Sequence, residues 1–401
     1  MAPPRPPPPL IDDAIAEILL RLPPDEPHHL FRAALVCKPW LRVLCDPAFR
    51  RRYRAFHGAP PLLGLLHRLQ VLQGSPPDRF ASTTSLPDFP NPGSHGRHAC
   101  PRDCRHGRVL IQMLQGGVVY LVWDPVTGDK RVVPKPDIVW LIDTVAVFCA
   151  ADGCDHLDCH GGPFGVVFMG TDDHDLRVKA SAYSSETGVW SAPISLGDSC
   201  ECYVKYREDD IQENRYHLPY VLPRRAAVIG GEIYFTLRRG HAIVMYDRVN
   251  DRLSMINPPL HDAYGVALMV LDDSSLGFAC IEGSSLYLWS RKVSEGAADW
   301  VKRRVIELEG TLPVVDPEDI PFVVGSAEGV GAIFISTDAG LFTIELKSGL
   351  VRKVDGPGDY FSVLPYMSFY TPGIVLALAC WLAASPAFSL QLLFVCLIRW
   401  F

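Results

Sequence analysis

No strong charge of either sign marks this sequence. Lys and Arg number 38 against 45 Asp and Glu, a formal net charge of −7. Such a balance gives no field to hold a nucleic-acid backbone or an anionic bilayer. A disulfide scaffold is missing as well, because 12 cysteines lie scattered over 401 residues instead of crowding a short chain. The opening MAPPRPPPP is polar and proline-rich where a secretory leader would be apolar. It suits an extended polyproline II tail over residues 1–9. Reduced thiols, a cytoplasmic or nuclear setting and no cofactor are therefore expected. Catalytic signatures are absent too: there is no G-x-S-x-G elbow and no G-x4-G-K-[ST] phosphate loop. The Gly pairs 116–117, 161–162 and 230–231 read as turns. Glu208-Asp209-Asp210 and Asp172-Asp173 read as solvated loops, not as calcium sites or acid/base pairs.

What the chain does have, first, is a compact helical block over residues 10–56. Asp12 or Asp13 suits an N-cap, since a carboxylate accepts bonds from the unpaired amides of a helix start. Ile15, Ile18, Leu19 and Leu22 recur at helical spacing and share one face. Pro23-Pro24 ends that helix. Asp25 and Pro27 fit the start of a second, with Leu30, Phe31, Ala34 and Leu35 as its apolar face. Val36, Trp40, Leu41 and Leu44 carry a third, with Pro39 confined to its first turn. Phe49, Tyr53 and Phe56 form a further stripe beside Arg50, Arg51, Arg52 and Arg54, a basic run that reads as a solvated face. About 45 residues is near the lower limit for burying a core. Part of this apolar surface is therefore expected to await a partner.

The order L-x-D-x-x-x-x-E-I-L-x-R-L-P runs through Leu10, Asp12, Glu17, Ile18, Leu19, Arg21, Leu22 and Pro23. L-x-R-A-x-L-V-C-K-x-W follows through Leu30, Arg32, Ala33, Leu35, Val36, Cys37, Lys38 and Trp40. Together they resemble the F-box of plant F-box proteins. Two positions depart from the family: Ile11 stands where Pro usually follows the first Leu, and Leu41 where Arg commonly follows the Trp. The resemblance implies docking onto a Skp1-type adaptor and, through it, a cullin. The family's contact positions fall on Leu10, Ile18, Leu19, Leu22, Pro23, Val36, Cys37 and Trp40. It implies a substrate receptor of an SCF-type ubiquitin ligase with no catalysis of its own.

From about residue 60 the apolar period falls from roughly 3.6 to 2. One pattern recurs: an apolar strand ending near an aromatic, a turn, and a second strand. It appears at 118–134, 179–194, 242–256 and 340–354, more loosely at 285–308. Further hairpins are expected at 227–237, 276–290 and 330–344. Corresponding turns lie 43 to 63 residues apart. That suits four-stranded blades closing into a propeller of about six, since closure leaves few open sheet edges. A β-sandwich or two small sheets is the competing arrangement. Asp103–Arg108, Trp123–Gly128, Tyr287–Ser290 and Pro365–Tyr370 resemble the plant F-box-associated β-propeller over residues 60–370, which implies a target-recruiting domain. Within the W-D-P-x-T-G turn, Asp124 is expected to bond turn amides and Gly128 to take a positive φ. The expected fold is multidomain: a small all-α F-box, an all-β propeller and an apolar C-terminal tail.

Cysteine and histidine gather at Cys154, His156, Cys159 and His160, with Cys149 upstream. These side chains bind zinc. His98, Cys100, Cys104 and His106 form a second group, and Cys200-x-Cys202 a third. None has the paired C-x2-C knuckles of a zinc finger, so no metal is expected and the thiols are assigned to loops or strands. Two other functions compete with the adaptor. One is a propeller hydrolase or lyase, since fold does not fix function. The other is a membrane-tethered interaction scaffold without a ligase role.

The tether would be residues 374–398, which carry no charged side chain. At ~1.5 Å per residue they would cross a bilayer core of ~30 Å. Pro386 would kink such a helix, and Arg399 and Trp400 suit the interface. The alternatives are two buried strands, or an end foreign to the family-like segment, which stops near Thr371-Pro372. Fractionation separates them. An anchor predicts that the full chain pellets with membranes while a chain ending at Pro372 stays in the supernatant; equal partition removes the anchor.

Overall fold

The computed structural model describes residues 11–69, 80–84, 99–113, 118–175, 177–197, 200, 203–205, 220–237, 242–260, 265–294, 297–316, 318–358 and 360–371. The expectations for Leu10, the proline tract, Glu208-Asp209-Asp210 and the tail 374–398 lie outside them. Among the described residues, no helix is long and apolar enough to cross a membrane. The chain divides into two compact units.

The helical unit comprises, of the described residues, 11–64, 82–84 and 367–371. Its helices are α1 (Asp12–Leu20), α2 (His28–Val36), α3 (Lys38–Cys45) and α4 (Pro47–His57). The start of α1 differs from expectation. Ile11 holds the cap position without a side-chain bond, and Asp12 and Asp13 lie in the first turn, where their charge still suits the helix dipole. Cys37 alone separates α2 from α3, its extended backbone (φ −164°, ψ 163°) breaking the ladder. Pro39 sits in the first turn of α3, where its missing N–H removes no helical bond. Asp46 caps α4, its carboxylate accepting from the Ala48 and Phe49 amides at 3.2 Å each.

Ile15, Leu19, Leu20, Leu30, Ala33, Ala34, Leu41, Leu44, Phe49 and Tyr53 make the core of this unit. On α1 the buried stripe is Ile15, Leu19 and Leu20, so Leu20 joins the inward face and Ile18, which the spacing set beside Leu19, lies outside it. The reason is that α1 packs on both α3 and α4, which widens the arc it must cover. The same double packing of α4 on α1 and α3 buries Arg54, which the basic run had placed in solvent. Two aromatics from the far end of the chain complete the core. Phe369 meets Tyr53 edge-on at 6.2 Å, and Tyr370 meets Phe31 at 5.1 Å. The Tyr53 hydroxyl donates to the Leu22 carbonyl at 2.8 Å.

Among the described residues, the β-rich unit holds five four-stranded antiparallel blades. The first holds Ala99–Arg105, Arg108–Met113, Val119–Trp123 and Lys130–Val133. Trp140–Cys149, Phe164–Asp172, Val178–Ser184 and Ile194–Ser195 form the second. In the third are Ala227–Ile229, Glu232–Thr236, Ile243–Asp247 and Arg252–Ile256. The fourth has Ala267–Val270, Leu276–Glu282, Ser285–Ser294 and Ala297–Glu307, the fifth Phe322–Ala327, Ala332–Thr337, Gly340–Glu345 and Val351–Asp355. Strand order follows the sequence in every blade. This is the propeller-like arrangement, with five four-stranded blades where about six were expected. A further sheet has three strands, ordered Phe80–Ser82, Leu62–Leu69, Tyr360–Met367.

The recurrent sequence pattern is the third and fourth strand of each blade. One turn geometry closes three of these hairpins. The carbonyls of Asp124, Ser184 and Glu345 accept from the amides of Gly128, Gly188 and Gly349 at 2.8, 2.9 and 2.8 Å. Gly128 has φ +79° as expected, a value that a Cβ would oppose. Asp124 also accepts from the Val126 and Thr127 amides at 3.0 and 3.2 Å.

Blades pack face to face. In the strand Phe164–Asp172, Phe164, Val166 and Phe168 join Leu110, Tyr120 and Val122 of the first blade. Val167 and Met169 join Ile233 and Phe235 of the third. Alternate residues thus serve opposite cores, which is why the strand is buried along its whole length. Phe278 likewise meets Tyr234 of the third blade, and Ala279 meets Ile333 and Ile335 of the fifth.

The first strands lie beside one another, first blade by second, third by fourth, fourth by fifth. Buried charges link them. Asp103 accepts from the Val147 amide at 2.8 Å, and Arg102 pairs with Asp143 at 2.6 Å. Arg105 donates to Glu328 at 2.7 Å and to the Ala226 carbonyl at 2.6 Å. Arg225 lies 3.0 Å from Glu328 and 3.7 Å from Asp103. Arg224 donates to the carbonyls of Val266 and Val323 at 2.9 and 3.0 Å. Burial would raise the Glu328 carboxyl, but Arg105 and Arg225 prevail and hold it below its ordinary 4.5. Glu328→Gln should lower stability by about 3–5 kcal/mol, because it removes the nearer of two carboxylates facing two buried guanidinium groups and leaves Asp103 alone against both; urea denaturation reads this. The Glu328 contribution is whole above pH 4.5 and fades as pH falls through the lower folded value. The gap between variant and wild type should therefore close in acid.

Candidate functional site

The helical unit presents the residues singled out by the sequence unequally. Ile18 is 46% exposed and Val36 62%. Pro23 is exposed, while Leu22, Cys37 and Trp40 are half-buried. Leu19 is fully buried between the helices, so it supports the surface from within. Ile11 and Leu35, absent from the expected contacts, are also exposed, at 70% and 39%. Apolar groups left outside so small a core are available to a partner. Their frame is fixed by polar contacts at the other side chains of α1: Glu17 bonds Arg21 at 3.2 Å and also Arg52 of α4. The Arg52 hydrogen bond holds the Glu17 carboxyl below its usual range. These outward positions read as a candidate docking surface.

In the β-rich unit, the loop 150–163 joins the first two strands of the second blade. It brings Cys154, His156 and Cys159 together with Cys149, and their ligand atoms all lie within 4.8 Å of one another. Cys154 Sγ is 3.7 Å from Cys159 Sγ, and Cys159 Sγ is 3.6 Å from His156 Nδ1. All three cysteines are free thiols, and burial pushes the Cys159 thiol up. His160, grouped with them in sequence, turns away: its Nδ1 lies 2.6 Å from Asp124 Oδ2. Burial opposes ionisation of Asp124, but His160 and the turn amides prevail and hold its carboxyl below the usual range. His106 stacks on His156, ring centroids 4.0 Å apart, and its Nδ1 accepts from the Cys149 amide at 3.2 Å. Of the second cysteine–histidine group, Cys104 is buried in the first blade, and His98 lies outside the described residues, as does Cys202.

The same loop lines a cavity of about 330 Å³ with Gly161, Gly162 and Pro163, facing Arg108, Asp124, Asp129, Arg131, Phe164 and Glu186. Charges of both signs meet there, which suits polar recognition. Asp172 is a turn residue and not an acid/base group. It accepts from the His174 and Asp175 amides at 2.8 and 3.1 Å, and Lys179 at 2.8 Å helps hold its carboxyl down to about 2.

The F-box domain family matches residues 10–52. An F-box protein of Arabidopsis thaliana is 24% identical over 308 residues, which cover 72% of this chain and 67% of the relative. Among solved structures, a chain of a nidogen/laminin complex superposes with a TM-score of 0.41 at 12% identity, covering 76% of this chain and 98% of that one. Virginiamycin B lyase from Staphylococcus aureus superposes with a TM-score of 0.35 at 13% identity, covering 65% and 71%. Likenesses this distant carry no weight for activity.

Burial separates two neighbouring residues of α1. Leu19→Ala should cost about 2–5 kcal/mol, as a cavity in a packed core does. Ile18→Ala should change stability by about 0.5 kcal/mol or less. Equal losses in chemical denaturation would contradict the assignment of Ile18 to the surface.

Proposed function

We propose that this chain, an F-box domain followed by a five-bladed β-propeller, is a substrate-receptor adaptor of an SCF-type ubiquitin ligase. The observation that carries the reading is the F-box match at residues 10–52, on helices whose outward side chains are apolar. In this reading Ile18, Leu22, Pro23, Val36, Cys37 and Trp40 meet a Skp1-type adaptor. Leu10 joins them, and Leu19 sets the face from beneath. The adaptor supplies the link to a cullin. Residues 10–56 act as the docking domain and 60–370 as the receptor; of the latter, 60–64, 82–84 and 367–370 group with the helical unit.

The propeller presents a protein target, and the chain itself makes no bond. Catalysis belongs to the partners: tethering a target beside a charged E2 raises its effective concentration to the order of mM. This work is placed in the cytoplasm or nucleus. The mixed charge of the cavity beside Asp124 and Arg131 favours a polar segment of a target over an apolar one.

Co-purification with a plant Skp1 tests the reading. The wild type should bind. Ile18→Asp combined with Val36→Asp alters two exposed positions and spares the core. It should weaken binding by about 2 kcal/mol or more, roughly 30-fold in Kd, with an unchanged circular dichroism spectrum. A wild type that fails to bind, or a double variant that binds equally well, rejects it.

A further inference from the structure

We propose that Cys149, Cys154, His156 and Cys159 form a structural zinc site. The distances carry it. With Zn–S near 2.3 Å and Zn–N near 2.05 Å, tetrahedral geometry puts two sulfurs ~3.8 Å apart and sulfur and nitrogen ~3.6 Å apart. The cluster has 3.7 Å between Cys154 and Cys159 and 3.6 Å between Cys159 and His156 Nδ1. A disulfide would need sulfurs about 2.05 Å apart. Three thiols and one imidazole are a donor set that favours zinc over hard cations.

The surroundings support the assignment independently. The His156 amide points at Cys154 Sγ, 3.4 Å away, so the sulfur accepts a backbone bond as a thiolate would. His156 itself holds φ +59°, a strained conformation for a non-glycine residue, and that conformation brings its ring to Cys159. Arg108 pins the loop through the carbonyls of Cys159 and Gly162. Arg108, bonded to the Cys159 carbonyl, brings a cation close to a site whose three thiolates exceed the charge of the ion. Binding sends three thiol protons to solvent.

Four protein ligands leave no open position, so the ion builds structure and does no chemistry. It fastens the loop 150–163 between two strands of the second blade. Gly161, Gly162 and Pro163 wall the adjoining cavity, so the ion fixes the shape of that wall.

The test is metal content of the full chain, purified under reducing conditions with zinc supplied and then dialysed. About one zinc per chain is expected, and cobalt in its place should give thiolate charge-transfer and tetrahedral d–d absorption. Cys154→Ser and His156→Ala should lose most of the zinc. His160→Ala should keep it, because His160 is paired with Asp124. A zinc-free wild type overturns the proposal without recourse to any variant. So do zinc retained equally by Cys154→Ser and His156→Ala, or lost from a folded His160→Ala, and so does a Cys154–Cys159 disulfide found by mass spectrometry in the reduced preparation.

Discussion

The β-rich unit depends on one buried ionic cluster. Asp103 and Arg105 come from the first blade, Arg225 from the lead into the third, and Glu328 from just past the first strand of the fifth. Apolar packing between blades is strong but without direction, so it does not by itself select which sheet follows which. Buried charges are different. Each is tolerated only where an opposite charge and the right acceptors meet it. Arg105 and Glu328 stand 223 residues apart in sequence, and their meeting brings the first and fifth blades to one ionic centre. Arg102 with Asp143, and Arg224 with the carbonyls of two later blades, extend the same constraint.

The helical unit solves a different problem. Four short helices enclose too little volume for every apolar side chain. Part of the shortfall is met from within the chain, by Phe369 and Tyr370 against Tyr53 and Phe31. The rest stays outside as Ile11, Ile18, Leu35, Val36 and Phe56, the last a member of the expected aromatic stripe. Buried Leu19 and exposed Ile18 are neighbours on one turn, so α1 serves the core and the exposed apolar face together.

The loop 150–163 links turn chemistry to recognition. Asp124 closes a hairpin of the first blade and also receives His160 from the second. One carboxylate therefore ties a local turn to an inter-blade contact. The cysteine and histidine cluster sits on the same loop, as does one wall of the cavity. Whatever holds the loop also shapes that cavity.

Much of this was legible in the residues themselves. Helix number, the stop at Pro23, the first-turn place of Pro39, the hairpins of the β-rich unit and the Asp124–Gly128 turn all follow from local rules of period, propensity and positive φ. Those rules act within a few residues, so sequence alone determined them. The F-box motif was legible for the same reason, being a contiguous pattern. Which side of α1 faces inward was not, because it depends on where α3 and α4 lie. The blade count was obscured by unequal spacing, and Arg54 by a run of like charges. Cys149 ends a strand, and only strand pairing carries it to Cys159; His160 left the group because Asp124, 36 residues earlier, competes for it. The tertiary structure decided these points, since each rests on a contact between residues whose separation in sequence carries no information about their distance in space.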